Sequence, residues 1–135
     1  MLAQVFRLTG KDINFMTKKK QVLYVWNFLF FYIKQYQNLS FHQLSCHITL
    51  KLHKRSVVRH LVKRAILDYI QKHDLIWKSL GWQYYKFFIM LNKNILPQRQ
   101  KQIETTDKKH IIAFVQSEFE KSRKLLPAKL REKKL

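Results

Sequence analysis

Cysteine and glycine are scarce in this sequence, and their scarcity excludes several classes of protein. Cys46 is the single cysteine among 135 residues, so the chain has no internal disulfide and lacks the thiolates of a cysteine-rich zinc site. We therefore expect a reducing, cytoplasmic location. The two glycines, Gly10 and Gly81, are too few for the Gly-rich loops that bind nucleotide phosphates. Nucleotide-hydrolysing enzymes are thereby disfavoured.

Acidic residues are also few. The eight Asp and Glu side chains are spread along the chain, without the cluster of carboxylates that a two-metal nuclease requires. His42, His47 and His53 lie near Cys46 in the sequence, but their spacing matches no zinc motif. We therefore predict no catalytic residue, no metal site and no small-molecule substrate for this chain.

Positive charge is what the sequence has in excess. Lys and Arg together number 27, and the formal net charge is +19, which favours a polyanionic partner, nucleic acid before acidic lipid. The apolar run at residues 22 to 33 follows three lysines. It is shorter than the ~20 residues that span a bilayer, so we predict buried strand here and no membrane partner.

Hydrophobic periodicity predicts the order of helices and strands. Thr9 and Asp12 fit a capping box at the start of a short helix. Aromatic and β-branched residues at 20 to 34 predict one or two strands, and the alternation at 44 to 53 predicts a half-buried antiparallel strand. Residues 84 to 91 predict a further strand.

Two longer helices complete the pattern. Apolar pairs recur about every four residues from 56 to 72, as in an amphipathic helix. A final helix capped by Asp107 is expected to end before Pro127. The fold class is therefore α+β: a two-layer sandwich with a mostly antiparallel sheet of about four strands, a short N-terminal helix, a basic central helix and a C-terminal helix.

The central helix begins in the stretch KRSVVRHLVKR, residues 54 to 64. Its valines and leucine anchor one side, whereas its basic side chains share the opposite arc. They lie near the helix N-terminus, where backbone N–H groups favour phosphate. The alternative is a solvated helix face without a ligand. We predict nucleic-acid contacts at eight positions: Lys51, His53, Lys54, Arg55, Arg59, His60, Lys63 and Arg64.

This helix resembles a motif of the protein component of bacterial ribonuclease P. That family carries K-x-x-x-A-V-x-R-N-R-x-K-R-x-x-R after an antiparallel strand, and KRSVVRHLVKRAIL is similar to it. Arg59 matches the first Arg of the Arg-Asn-Arg signature, and Lys63 and Arg64 match the following Lys-Arg. The sequence departs from the motif at Leu61 and Leu67, which replace arginines.

The resemblance extends over most of the chain. RLTGKDINF is similar to the family's N-terminal segment, NFLFFYI to its next strand, and YYKFFIML with the following helix to its last strand and helix. It implies one RNA-binding α+β domain at residues 1–126 and a basic tail at 127–135. It also implies binding to the catalytic RNA, whose magnesium ions perform hydrolysis, and to the 5′ leader of precursor tRNA, in a cleft between the basic helix and the open sheet.

Aromatic side chains are the candidates for that leader cleft, because bases of single-stranded RNA stack on them. We select Phe15, Phe28, Phe30 and Tyr32. Along the strand, Phe28, Phe30 and Tyr32 share one face and the alternate residues share the other. One face is buried under helices, and the sequence does not say which.

Two other functions are compatible with the same charge. One is a structural RNA-binding protein, such as a ribosomal protein, which would use the basic face without depending on a leader. The other is a membrane-surface protein anchored by residues 18 to 33. Preference for anionic vesicles over RNA would favour the latter.

Overall fold

The structure, a computed structural model, describes residues 4–19, 21–25, 28–48, 56–80, 83–91 and 108–134. The regular elements follow one another in this order: a 3₁₀ turn Gln4–Phe6, α1 Gly10–Lys19, β1 Val22–Val25, β2 Phe28–Lys34, β3 Gln43–His47, α2 Ser56–Lys72, a second 3₁₀ turn Leu75–Trp77, β4 Tyr85–Leu91 and α3 Lys108–Lys134.

The four strands form one sheet in the order β1-β2-β4-β3. β1 pairs with β2 and β2 with β4 in antiparallel fashion, which confirms the predicted α+β class. β3 runs parallel to β4, so its predicted antiparallel direction is wrong. The physical reason is the connection between the two strands. α2 follows β3 and returns the chain to the end of the sheet at which β3 began, so β4 runs in the same direction as β3.

The two long helices cover one face of the sheet. Phe30 and Ile89 from the sheet, Ile66 from α2 and Val115 from α3 belong to one continuous buried cluster. On the opposite face, Met16 of α1 packs with Phe88 and Phe31 in a smaller cluster. Since α1 is short, it covers only part of this second face.

A capping box fixes the start of α1, as the sequence predicts. The backbone N–H of Asp12 donates to Thr9 Oγ1 at 3.1 Å, and the Thr9 N–H donates to Asp12 Oδ2 at 3.2 Å. The two bonds satisfy donors that the first helical turn leaves free. The second oxygen of Asp12 remains available to bind across to the sheet.

The last helix is longer than the sequence pattern predicts. α3 continues through Pro127 to Lys134, so the predicted end before Pro127 is wrong. Leu126 and Leu130, on either side of the proline, are both buried, and each contributes roughly 1.5–3 kcal/mol. Together they offset the ~3 kcal/mol that an interior proline costs. Asp107, the predicted cap, lies outside the described residues.

Candidate nucleic-acid interface

The exposed side of α2 forms one wall of a groove. The helical period buries Val62 and Ile66 against the sheet, which turns His60, Lys63 and Arg64 toward solvent. The groove has a volume of about 480 Å³ and lies between α2 and β3. We call it the basic groove; its residues are Arg7, Leu44, Ser45, Cys46, His60, Lys63, Arg64, Leu67 and Asp68.

The predicted basic residues divide into three groups in the structure. His60, Lys63 and Arg64 line the basic groove together. Arg59 is half-buried, and its Nη1 atom has no hydrogen-bond partner. The others lie outside the described residues: Lys51, His53, Lys54 and Arg55.

Cys46 lines the basic groove, but its thiol is unreactive. The side chain is 2% exposed, and burial raises the pKa of its thiol to about 12, although the charge of Lys63 acts in the opposite direction. The thiol is therefore protonated at neutral pH and is neither a nucleophile nor a metal ligand.

Two of the four predicted leader-cleft residues are core residues. Phe28 and Phe30 are 1% and 2% exposed. The ring of Phe28 lies edge-on to Phe119 of α3 at 5.4 Å, and that of Phe30 lies edge-on to Phe87 at 6.0 Å. Their assignment to a cleft is wrong because α2 and α3 cover this face of the sheet.

The other two predicted residues, Phe15 and Tyr32, line a second groove of about 820 Å³. Phe15 is 53% exposed, and the Lys19 Nζ lies 5.3 Å from the centroid of its ring. We call this the aromatic groove, and it shares no residue with the basic groove. Its residues are Lys11, Asp12, Phe15, Lys19, Gln21, Tyr32, Ile33, Lys34, Tyr36, Tyr85, Lys86 and Leu130.

A buried lysine at the floor of the aromatic groove was not predicted from the sequence. Lys86 is 3% exposed; its Nζ lies 3.0 Å from Asp12 Oδ1 and 4.3 Å from the centroid of the Tyr36 ring. Burial acts to raise the pKa of Asp12, but hydrogen bonds from Lys86 and Thr9 outweigh it and lower the pKa. The ion pair fixes α1 on β4. The sequence signal was a single lysine inside the apolar strand YYKFFIML.

Among the described residues, neither groove has the ligands of a magnesium site. The basic groove contributes one carboxylate, Asp68, and in the aromatic groove Asp12 is already paired with Lys86. Within the described ranges, no three His, Cys, Asp or Glu side chains come together around a common point. Among the helices of the same ranges, none is long and apolar enough to cross a bilayer.

These features define a class: a basic α+β chain in which a crossover helix and a short N-terminal helix each form a groove with one mixed sheet. No family model and no curated protein sequence matches the chain. Solved structures do match, and they are bacterial RNase P proteins, so the fold implied by the sequence resemblance is confirmed.

The match covers nearly the whole chain. The Staphylococcus aureus RNase P protein aligns over 90% of this chain and 94% of its own, with a TM-score of 0.63 and 16% identity. A mutant of it with defective mRNA degradation activity gives 0.64 over 91% and 89%, at 16% identity. The Thermotoga maritima RNase P protein gives 0.59 over 84% and 90%, at 14% identity.

Proposed function

We propose that this chain is the protein subunit of a ribonuclease P, the endoribonuclease that removes the 5′ leader of precursor tRNA. The observation that carries the proposal is the exposed basic side of α2, formed by His60, Lys63 and Arg64, in a fold shared with bacterial RNase P proteins. The chain would act in the cytoplasm as an accessory subunit, with the chemistry on its RNA partner.

The basic groove is the proposed contact with the catalytic RNA. Lys63 and Arg64 are exposed and adjacent in the chain, so they can neutralise neighbouring phosphates of one RNA strand. Leu67, at a position where the family motif has an arginine, lines the same groove and contributes apolar contact in place of charge. The magnesium ions are assigned to the RNA, because neither groove offers a carboxylate ligand set.

The aromatic groove is the proposed site of the leader. Phe15 presents an exposed ring on which an unpaired base can stack, and the half-buried Tyr32 lines the same groove. Lys11, Lys19 and Lys34 line this groove as well and can pair with the phosphates of a single strand. The resemblance implies a leader cleft between the basic helix and the sheet; we propose the aromatic groove instead, because the exposed aromatic ring of Phe15 lies there.

The binding role of the basic groove can be tested by removing two charges. Lys63→Ala combined with Arg64→Ala should weaken binding to ribonuclease P RNA. The slope of log affinity against log salt should fall by roughly 1.4 to 1.8, because two phosphate contacts are lost. Filter binding across a salt series measures both quantities.

The matched control takes the same two charges from α3. Lys109→Ala combined with Lys124→Ala changes exposed lysines outside both grooves and should leave the slope close to that of the wild type. If both double variants lower the affinity equally, binding depends on net charge alone and the basic groove has no specific role.

A further inference from the structure

Three aromatic rings form a cluster that neither groove includes. The ring of Phe6 lies edge-on to Phe41 at 5.2 Å and to Trp77 at 5.3 Å, and Phe41 lies 5.7 Å from Trp77. The residues come from three distant parts of the chain, namely the N-terminal 3₁₀ turn, the segment just before β3 and the turn after α2. We call these rings the Trp77 cluster.

The cluster is exposed although it consists of large apolar rings. Trp77 is 55% exposed, whereas Phe6 and Phe41, which contact it, are half-buried. Trp77 therefore keeps about half of its surface in water while it packs against two phenylalanines, and an exposed aromatic surface of this kind can bind a ligand.

Hydrogen bonds hold the surrounding backbone in place. Tyr84 donates its hydroxyl to the carbonyl oxygen of Trp77 at 3.1 Å. Gln43 Nε2 donates to the carbonyl oxygen of Val5 at 2.9 Å, and Gln35 Nε2 donates to that of Phe41 at 3.2 Å. All three segments that supply the rings are therefore fixed, so a ligand would not have to order them.

The Trp77 cluster borders the basic groove. Arg7 follows Phe6 directly, forms a parallel bridge with Leu44 at the outer edge of β3, and lines the basic groove. In the chain, Trp77 is followed by the exposed Lys78. Through Phe6 and Arg7 the exposed ring is linked to the cationic groove, and an aromatic ring near cations is the combination that binds single-stranded RNA.

We propose that Trp77 stacks with an unpaired base of the RNA strand whose phosphates lie along the basic groove. The proposal rests on the proposed function and adds to it that this part of the bound RNA is single-stranded. The cationic surroundings favour RNA over an apolar protein partner. Because the basic groove is the proposed contact with the catalytic RNA, the unpaired base belongs to that RNA.

Fluorescence of Trp77 itself tests the contact. A variant with Trp26→Phe and Trp82→Phe retains Trp77 as its one tryptophan and is titrated with a short single-stranded RNA. We expect quenching by this RNA and little by an abasic strand of equal length, because the abasic strand keeps the phosphates but lacks bases. Equal signals from both strands would overturn the proposal.

Affinity in the otherwise unchanged chain gives a second test. Trp77→Ala should weaken binding of the short RNA by about 5- to 150-fold, the range measured for one stacked base, and Trp77→Phe should retain most of the affinity. Tyr24→Ala is the matched control, because Tyr24 is 61% exposed and lies on β1, at the opposite edge of the sheet. A thermal melt confirms that each variant is folded.

The remaining outcomes separate this inference from the proposed function. If Trp77→Ala binds RNA like the wild type while Lys63→Ala with Arg64→Ala does not, the stacking contact is refuted and the proposed function stands. If the wild-type chain binds no RNA, both the proposed function and this inference are refuted. A loss of affinity for the catalytic RNA alone on Trp77→Ala supports the inference, whereas a loss seen only with precursor tRNA that carries a leader would overturn it.

Discussion

His42 is the residue at which protonation is coupled most directly to the fold. It is buried, its Nδ1 accepts a hydrogen bond from the Tyr85 N–H at 2.9 Å, and its Nε2 lies 2.6 Å from the carbonyl oxygen of Lys78. An Nδ1 that accepts cannot carry a proton, so the ring is the neutral tautomer with hydrogen on Nε2. Through these two hydrogen bonds the His42 ring links the segment just before β3 to the start of β4 and to the residue that follows the turn after α2.

Stability should therefore fall in mildly acidic solution. Burial lowers the pKa of His42, although the bond to Lys78 opposes the shift. The unfolded chain thus binds this proton more readily than the folded chain. The contribution of His42 to the free energy of unfolding is complete above the pKa of about 6.5 that histidine has in the unfolded chain. It decreases as the pH falls below that value. Thermal melts between pH 7.5 and about 5 measure the decrease.

Substitution separates His42 from other titrating groups. His42→Gln should lower stability at neutral pH by about 1–3 kcal/mol, because buried backbone groups lose their partner, and should flatten the change between pH 7.5 and about 5. His47→Gln, an exposed histidine on β3, should keep the pH dependence of the wild type. An unchanged profile in His42→Gln would show that another group causes the effect.

The choice between the two faces of β2 could not be made from the sequence. Phe28 and Phe30 alternate with Leu29 and Phe31, and both sets are apolar, so the period of two identifies the faces without saying which is buried. The answer depends on where α2 and α3 pack, which is a property of the whole sheet. Phe15 was selected for its aromatic ring alone, and its exposure became clear only in the structure, which buries the adjacent Met16 and leaves Phe15 53% exposed.

Among the helices and strands, α3 is the element whose length depends on packing against the core. In an isolated helix a proline at this position would break or kink the helix, because Pro127 cannot donate a hydrogen bond to the preceding turn. In the folded chain the segment beyond it contributes Leu130 to the core, at 4% exposure. Ser122 Oγ also donates to the carbonyl oxygen of Val25 at 3.1 Å, which fixes α3 to β1.

Packing of the segment beyond Pro127 can be measured directly. Leu130→Ala should reduce the free energy of unfolding by about 2–5 kcal/mol, as for other buried leucines. Leu125→Ala is the control; this leucine lies five residues before Leu130 and is 43% exposed, so its loss should cost much less. Urea denaturation followed by circular dichroism compares the two. Equal small effects would mean that the helix does not pack beyond the proline.

Elements with a strong period were predicted best. The predicted bounds of α2, residues 56 to 72, agree with the structure, since its apolar positions recur over five turns. The predicted strands at 20 to 34 and 84 to 91 contain β1, β2 and β4. The direction of β3 was not predictable in the same way, because alternation along a strand carries no information about which neighbour it pairs with.

At the scale of the whole molecule, one sheet supports two separate grooves, which we propose as RNA-binding sites. α2 forms the basic groove at the β3 edge, and α1 forms the aromatic groove with β2 and β4. The net charge of +19 favours binding of any polyanion, so charge alone does not distinguish a ribonuclease P subunit from a structural RNA-binding protein. The distinguishing feature is the aromatic groove, which we propose as the site of the leader.

The most direct measurement is cleavage of 5′-extended precursor tRNA at low magnesium by the ribonuclease P RNA of the same genome, with and without this protein. We expect stimulation that increases with leader length. Phe15→Ala should reduce the leader-dependent part at least about fivefold, in line with the loss of one stacked base, whereas Leu125→Ala should not. Tight binding to the RNA with no stimulation at any leader length would contradict the account and favour a structural RNA-binding protein.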